Sequence, residues 1–194
     1  LNQFKDSDEF KEFASNYNEE DRVFIISSIF GGTGAAGFPT ILKNIRDAMN
    51  NNNINGNSFL QDAKIGAISV MPYFNIESDP ESPINKSDFI SKTKSALYYY
   101  KDNVTGNNSI NALYYILDEH NGNPYVNDPG DNGQQNNAHI IEMISALSII
   151  DFLEIPDIEL ETIKGIASKP IYKEFGIRTD THDVTFPDFE DKTQ

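Results

Sequence analysis

The residues with the most chemical content lie in one short run, Ser28-Ile-Phe-Gly-Gly-Thr-Gly-Ala-Ala-Gly-Phe-Pro-Thr40. An apolar stretch, VFII, precedes it, and a helical pattern, TILKNIRDAM, follows. A strand, a glycine turn and a helix in that order form an anion site. Gly31, Gly32 and Gly34 let the backbone approach a ligand closely, and successive N–H groups can converge on it. The helix start adds partial positive charge. Thr33 supplies a hydroxyl, and Ala35 and Ala36 keep the surface low.

The elements that must position this turn follow from hydrophobic periodicity. Residues 6–20 read as a helix with Phe10, Phe13 and Ala14 on one side and Ser7 as its cap. Residues 22–29 read as a buried strand. The helix after the glycines is expected from Phe38 to Met49, with Pro39 in its first turn. Residues 50–57 are a polar loop, 64–72 a second buried strand, 73–85 a proline-bearing loop and 86–101 a helix. A third strand is expected over 110–117, and 120–137 is too rich in Asn, Gly and Pro for regular structure. The helix 138–153 is apolar around much of its circumference, which predicts a central, buried position. A short helix follows Pro156, and the tail from Arg178 has no assignment. Strands alternating with helices, without tight hairpin signals, predict an α/β fold: a three-layer parallel sheet with helices on both faces.

Composition narrows the function classes. Fifteen Lys and Arg against 30 Asp and Glu give a formal charge of −15 in 194 residues. That balance disfavours nucleic acid and anionic membranes, which need a cationic footprint. The chain has no cysteine, which excludes disulfides, thiolate catalysis and Cys-type zinc sites and fits a cytoplasmic protein. No run approaches the roughly 18 apolar residues of a membrane span. His120, His139 and His182 have no metal-ligand spacing, and the tyrosines 98–100 suit helix packing better than base stacking.

Two common phosphate patterns fit the glycine run incompletely. Gly32 to Gly37 has the spacing of a Walker loop, but Phe38 stands where its lysine must be, so that pattern is rejected. Gly32-x-Gly34-x-x-Gly37 matches the dinucleotide fingerprint of a Rossmann-type NAD(P)-binding protein. Against it, strand 64–72 does not end in an acid, a helix precedes the fingerprint strand, and no Tyr-x-x-x-Lys occurs.

A third pattern covers more of the chain. Phe30-Gly-Gly-Thr-Gly-Ala-Ala-Gly-Phe-Pro39 resembles the signature loop of the tubulin/FtsZ family, GGGTG(T/S)G, with the small residues and proline of its cell-division branch. "DRVFIISSI" resembles the preceding strand and "TILKNIRD" the helix that follows. "AISVMPYFNIES" is similar to the next strand and loop, and "NNAHIIEMISALSIIDFLEIP" to the family's core helix. These segments occur in the family's order across residues 6–165.

The resemblance implies a partial nucleotide-binding domain over 1–165 and an unassigned extension over 166–194. It implies GTP or GDP with Mg2+ at Gly31, Gly32, Thr33, Gly34, Ala35 and Ala36, with Glu77 near the ribose and Asn136 or Asn137 facing the purine. It implies a GTPase in the full-length protein, with slow hydrolysis coupled to head-to-tail self-assembly. Glu159 and Glu161 then stand in the hydrolytic loop that acts on the next subunit's nucleotide, although the family's NxD pattern is absent. The family's domain begins three strands earlier, so this chain is expected to be a fragment or a reduced relative that binds nucleotide weakly or not at all by itself. The family's first loop glycine is Phe30 here, and its last is Ala36. These departures leave a non-catalytic tubulin-like scaffold and an NAD(P)-binding protein as the alternatives.

Overall fold

The computed structural model describes residues 7–48, 58–77, 86–118, 124–126 and 137–176. Chain order gives helix α1 (Asp8–Asn16), strand β1 (Arg22–Ser28), helix α2 (Gly32–Arg46), the single turn α3 (Ser58–Gln61) and strand β2 (Lys64–Val70). Helix α4 (Lys86–Tyr100) runs into a π-helical turn (Lys101–Thr105), followed by strand β3 (Ala112–Leu117) and helix α5 (Ile140–Glu154). A 3-10 turn (Asp157–Leu160), the short strands β4 (Thr162–Ile163) and β5 (Ile166–Ala167), and strand β6 (Ile171–Gly176) complete it.

The main sheet is four-stranded and parallel, in the order β1-β2-β3-β6. Strand side chains alternate between two cores. On one face, Ile25, Ile65, Ala67 and Leu113 pack with Phe10 and Ala14 of α1, Leu42 and Ile45 of α2, and Tyr100 of α4. On the other, Ile68, Tyr114 and Ile116 pack with Ile141, Ile144 and Phe152 of α5. Gly66 lets α5 close on the sheet, since a Cβ there would lie 2.8 Å from the Phe152 ring. The result is an α/β fold with helices on both faces. Among the described residues, no helix is long and apolar enough to cross a membrane.

Ser7 caps α1 as expected: its Oγ accepts the Phe10 N–H at 3.2 Å. Three expectations need correction. Helix α2 starts at Gly32, six residues before the expected Phe38, so Pro39 lies inside the helix and not in its first turn. A proline there removes the N–H that would meet the Ala35 carbonyl. The Tyr100 hydroxyl donates to that carbonyl at 3.1 Å, and its ring stands edge-on to Phe38 at 5.2 Å. Helix α5 is not buried all round: Ile140, Met143, Ile150 and Leu153 are exposed on the side away from the sheet. Residues 166–176, without an expected structure, form β5 and β6, and β6 extends the main sheet. The tail from Arg178, the loop 50–57, His120 and His182 lie outside the described residues.

The N-terminal end of the sheet is held by buried polar side chains. Arg46, at the end of α2, donates to the carbonyls of Ser109, Gln61 and Ala63 and to Asn111 Oδ1. Burial lowers its pKa to about 10, although Asp62 acts in the opposite direction. Asn111 accepts the Ile65 N–H at 2.8 Å and donates to the Leu160 carbonyl and Thr162 Oγ1, each at 2.7 Å. Beside them, Arg22 and Lys64 both reach Asp157, at 2.6 and 2.9 Å.

Candidate functional site

The glycine run sits at the opposite, C-terminal end of the strands, where open parallel sheets bind ligands. Gly31 is the N-cap of α2, with extended backbone (φ −102°, ψ 151°) and no side-chain hydrogen bond to the helix. The first turn has no acidic residue. Ala35 N–H already bonds to Gly31 C=O at 3.0 Å, so the free donors are those of the residues before it. Gly32 and Thr33 are exposed.

Two glycines of the run differ in what requires them. A Cβ on Gly34 would lie 2.1 Å from the Ser28 carbonyl oxygen, so the helix can leave the strand this sharply only with glycine there. A Cβ on Gly32 would meet nothing within 4 Å. Glycine in a helix costs about 1 kcal/mol relative to alanine, and at Gly32 packing does not offset that cost. Beside it, a cavity of about 670 Å³ opens between Gly31, Gly32, Ala36 and Pro39 at the start of α2 and Lys92 and Tyr99 on α4.

Phe30, just before the glycines, joins a cluster of rings. It lies 5.7 Å from Phe74 and 5.4 Å from Phe89, centroid to centroid. Tyr73 stands edge-on to Phe74 at 5.2 Å and tilted against His139 at 5.1 Å, and Phe74 meets Tyr125 edge-on at 6.4 Å. Burial and the nearby Glu142 carboxylate raise the Tyr73 pKa. Sequence reasoning missed this cluster. The available signal was that Phe30, Tyr73 and Phe74 all follow strand ends.

The other expected site residues are distributed as follows. Glu77 is exposed, and its N–H is bound to the Tyr125 carbonyl at 2.9 Å, which ties the loop after β2 to the one after β3. Asn137 is exposed and lies two residues before the N-cap of α5; Asn136 is outside the described residues. The cap is His139, whose Nδ1 accepts the Ile141 N–H at 3.1 Å while Nε2 faces Asp118 Oδ2 at 3.1 Å. Glu159 pairs loosely with Lys169 at 3.7 Å, and Glu161 Oε2 accepts from Ser168 at 3.4 Å. Both acids follow α5, near the start of β1 and β2. The seven-residue β1 spans about 20 Å, so they are remote from the glycine run of the same chain. Of the tyrosine run, Tyr100 is buried, while Tyr98 and Tyr99 are exposed.

Among the described residues, no group of three or more His, Asp and Glu side chains is placed to hold a metal. Compared with family models, curated proteins and solved structures, the chain matches none.

Proposed function

We propose that this chain is part of a tubulin/FtsZ-like nucleotide-binding domain and that Gly31 to Ala36 receive the phosphates of GTP or GDP. The observation that carries this is the start of α2, uncapped and free of carboxylates in a chain of net charge −15. A helix start otherwise attracts acidic side chains, so their exclusion here suits an anionic ligand. The parallel order β1-β2-β3, with α2 between β1 and β2, also supports it. Backbone N–H groups and the Thr33 hydroxyl suit a phosphate without a lysine. Mg2+ would arrive with the nucleotide, since it prefers phosphate oxygens and water to a protein cage.

Hydrolysis in this scheme belongs to the full-length protein. Glu159 and Glu161 are on the wrong end of the sheet to act on their own chain's nucleotide, so they would act on that of the next copy in a head-to-tail assembly. A second reading, a non-catalytic tubulin-like scaffold, is favoured by Phe30, whose contacts with Phe74 and Phe89 fill space beside the turn. An NAD(P) site is less favoured because β2 ends at Val70, followed by Met71, without a carboxylate for the ribose.

The test is an amide NMR titration of the chain with Mg·GTP and, separately, NADP+. Weak, saturable shifts at Gly32, Thr33 and Gly34 with GTP are expected. Shifts there with NADP+ and none with GTP would reject the proposal. GTP hydrolysis and filament pelleting by the full-length protein would distinguish the GTPase from the scaffold.

A further inference from the structure

Helices α2 and α4 present matching stripes to each other. On α2, Gly32, Ala35, Ala36 and Pro39 recur at i, i+3, i+4 and i+7; on α4, Lys92, Ser95, Ala96 and Tyr99 do the same. The large residues Phe38 and Leu42 of α2 and Tyr100 of α4 belong to the core against the sheet. Between the helices mostly small side chains remain, and the cavity of ≈ 670 Å³ stays open there. That volume is in the range of sites for drug-sized molecules. Helix α2 joins β1 to β2 and α4 joins β2 to β3, so the walls do not depend on any strand beyond β1.

The walls offer few polar groups. Thr40 Oγ1 donates to the Ala36 carbonyl at 2.7 Å and Ser95 Oγ to the Ser91 carbonyl at 3.0 Å, so both hydroxyls are turned onto their own helices. The Ala35 carbonyl, which Pro39 leaves without its helical donor, is taken by the Tyr100 hydroxyl. The half-exposed Tyr99 ring supplies an aromatic wall. Charge singles this cavity out. The chain has 30 acids to 15 bases, yet among the described residues no Asp or Glu lines it. A cavity at the other end of the sheet is lined by Glu19, Asp62, Asp157 and Glu161. Lys92 is the only charged group in the lining among the described residues, and it has no ion pair there.

We propose that this cavity binds a small organic acid with an apolar body, the body against Ala36, Pro39, Ala96 and Tyr99 and the carboxylate at Lys92. Such a ligand buries apolar surface without stranding a polar group, and it brings the countercharge that Lys92 lacks. A nucleobase suits the cavity poorly, since Thr40 and Ser95 have given their protons to their own helices and leave its ring acceptors unmet. An acid is also selected over a cation, because the rest of this acidic chain competes for cations and not for anions. The proposal is independent of nucleotide binding, and its probes carry no phosphate.

The test is an NMR titration of the native chain with n-decanoate, kept below its micelle concentration. Saturable shifts at Ala36, Thr40, Ala96 and Tyr99 are expected, and decyltrimethylammonium should give none. Lys92→Glu should weaken decanoate binding at least about tenfold, and Lys92→Arg less than about threefold. Lys94→Glu makes the same charge change two residues on, at an exposed position on the far side of α4, and should alter binding less than about twofold. Ala36→Trp, at an exposed position, should block binding by filling the cavity. Absence of shifts at those four residues would overturn the proposal. So would equal binding of decyltrimethylammonium, or a loss in Lys94→Glu as large as that in Lys92→Glu. Sedimentation of the chain with phosphatidylglycerol vesicles, while monomeric decanoate fails to bind, would overturn it in favour of a lipid surface. The titrations of the native chain decide the matter even if a variant does not fold.

Discussion

The two ends of the sheet are built from opposite materials. At the N-terminal end of the strands, Arg46 and Asn111 join α2, the entries to β2 and β3, and the segment after α5 through buried hydrogen bonds. At the C-terminal end, α2 begins without a side-chain cap, Gly32 and Thr33 are exposed, and Phe30 packs edge-on against Phe74 beside them. Ser69, next to the end of β2, is fully buried, and among the described residues its hydroxyl has no partner, as is true of Asn44 Nδ2 and Thr93 Oγ1. Buried side-chain hydrogen bonds gather at one end, and the uncapped start of a helix lies at the other. That division is expected if one end fixes the fold and the other receives a ligand.

The largest expected effect comes from breaking the stable end. Arg46→Met removes donors from the Ser109, Gln61 and Ala63 carbonyls and should cost about 4 kcal/mol in urea denaturation. If it costs less than about 1 kcal/mol, the N-terminal end is not what holds the sheet. Next is Gly34→Ala, expected to cost about 3 kcal/mol because its methyl group would meet the Ser28 backbone.

The third prediction has the opposite sign. Gly32→Asp replaces an unconstrained glycine with an acid in the first turn of α2. It should raise stability by about 1 kcal/mol while repelling an anion. A variant that is both stabilised and defective in binding would separate ligand chemistry from fold.

The smallest effect concerns pH. Hydrogen bonds from Lys64 and Arg22 hold the Asp157 carboxyl below its usual pKa. Its contribution is therefore present above about pH 4 and is lost as the pH falls through the depressed folded value. With the carboxylate largely exposed, the contribution is a few tenths of a kcal/mol at most. Asp157→Asn should flatten the acid limb of stability against pH by that amount, as followed by thermal melts below pH 5.

How much of this was legible follows from how local each determinant is. The strands β1, β2 and β3, the cap at Ser7 and the layered α/β fold follow from patterns within a few residues. The start of α2 does not. The glycine run reads as a turn and is helical, since Tyr100, 65 residues from Ala35, supplies the hydrogen bond that Pro39 cannot. Strand β6 was illegible for a similar reason: IYKEFG mixes charged and apolar residues, and Lys173 is placed by Asp151 of α5 at 2.8 Å. The apolar residues of α5 are spread around much of its circumference, so its sequence carried no sign of which side meets the sheet. At the site, the glycines were legible as chemistry, but the ring cluster required the loops after two strands to meet.

The central claim is that the open end of α2 holds phosphate. Its most direct test is a paired NMR titration of wild type and Gly32→Asp with Mg·GTP, with the thermal stability of each measured in parallel. Saturable shifts at Thr33 and Gly34 in the wild type, and none in a Gly32→Asp variant that melts at the same or a higher temperature, are the predicted result. Equal shifts in both proteins, or none in the wild type, would contradict it.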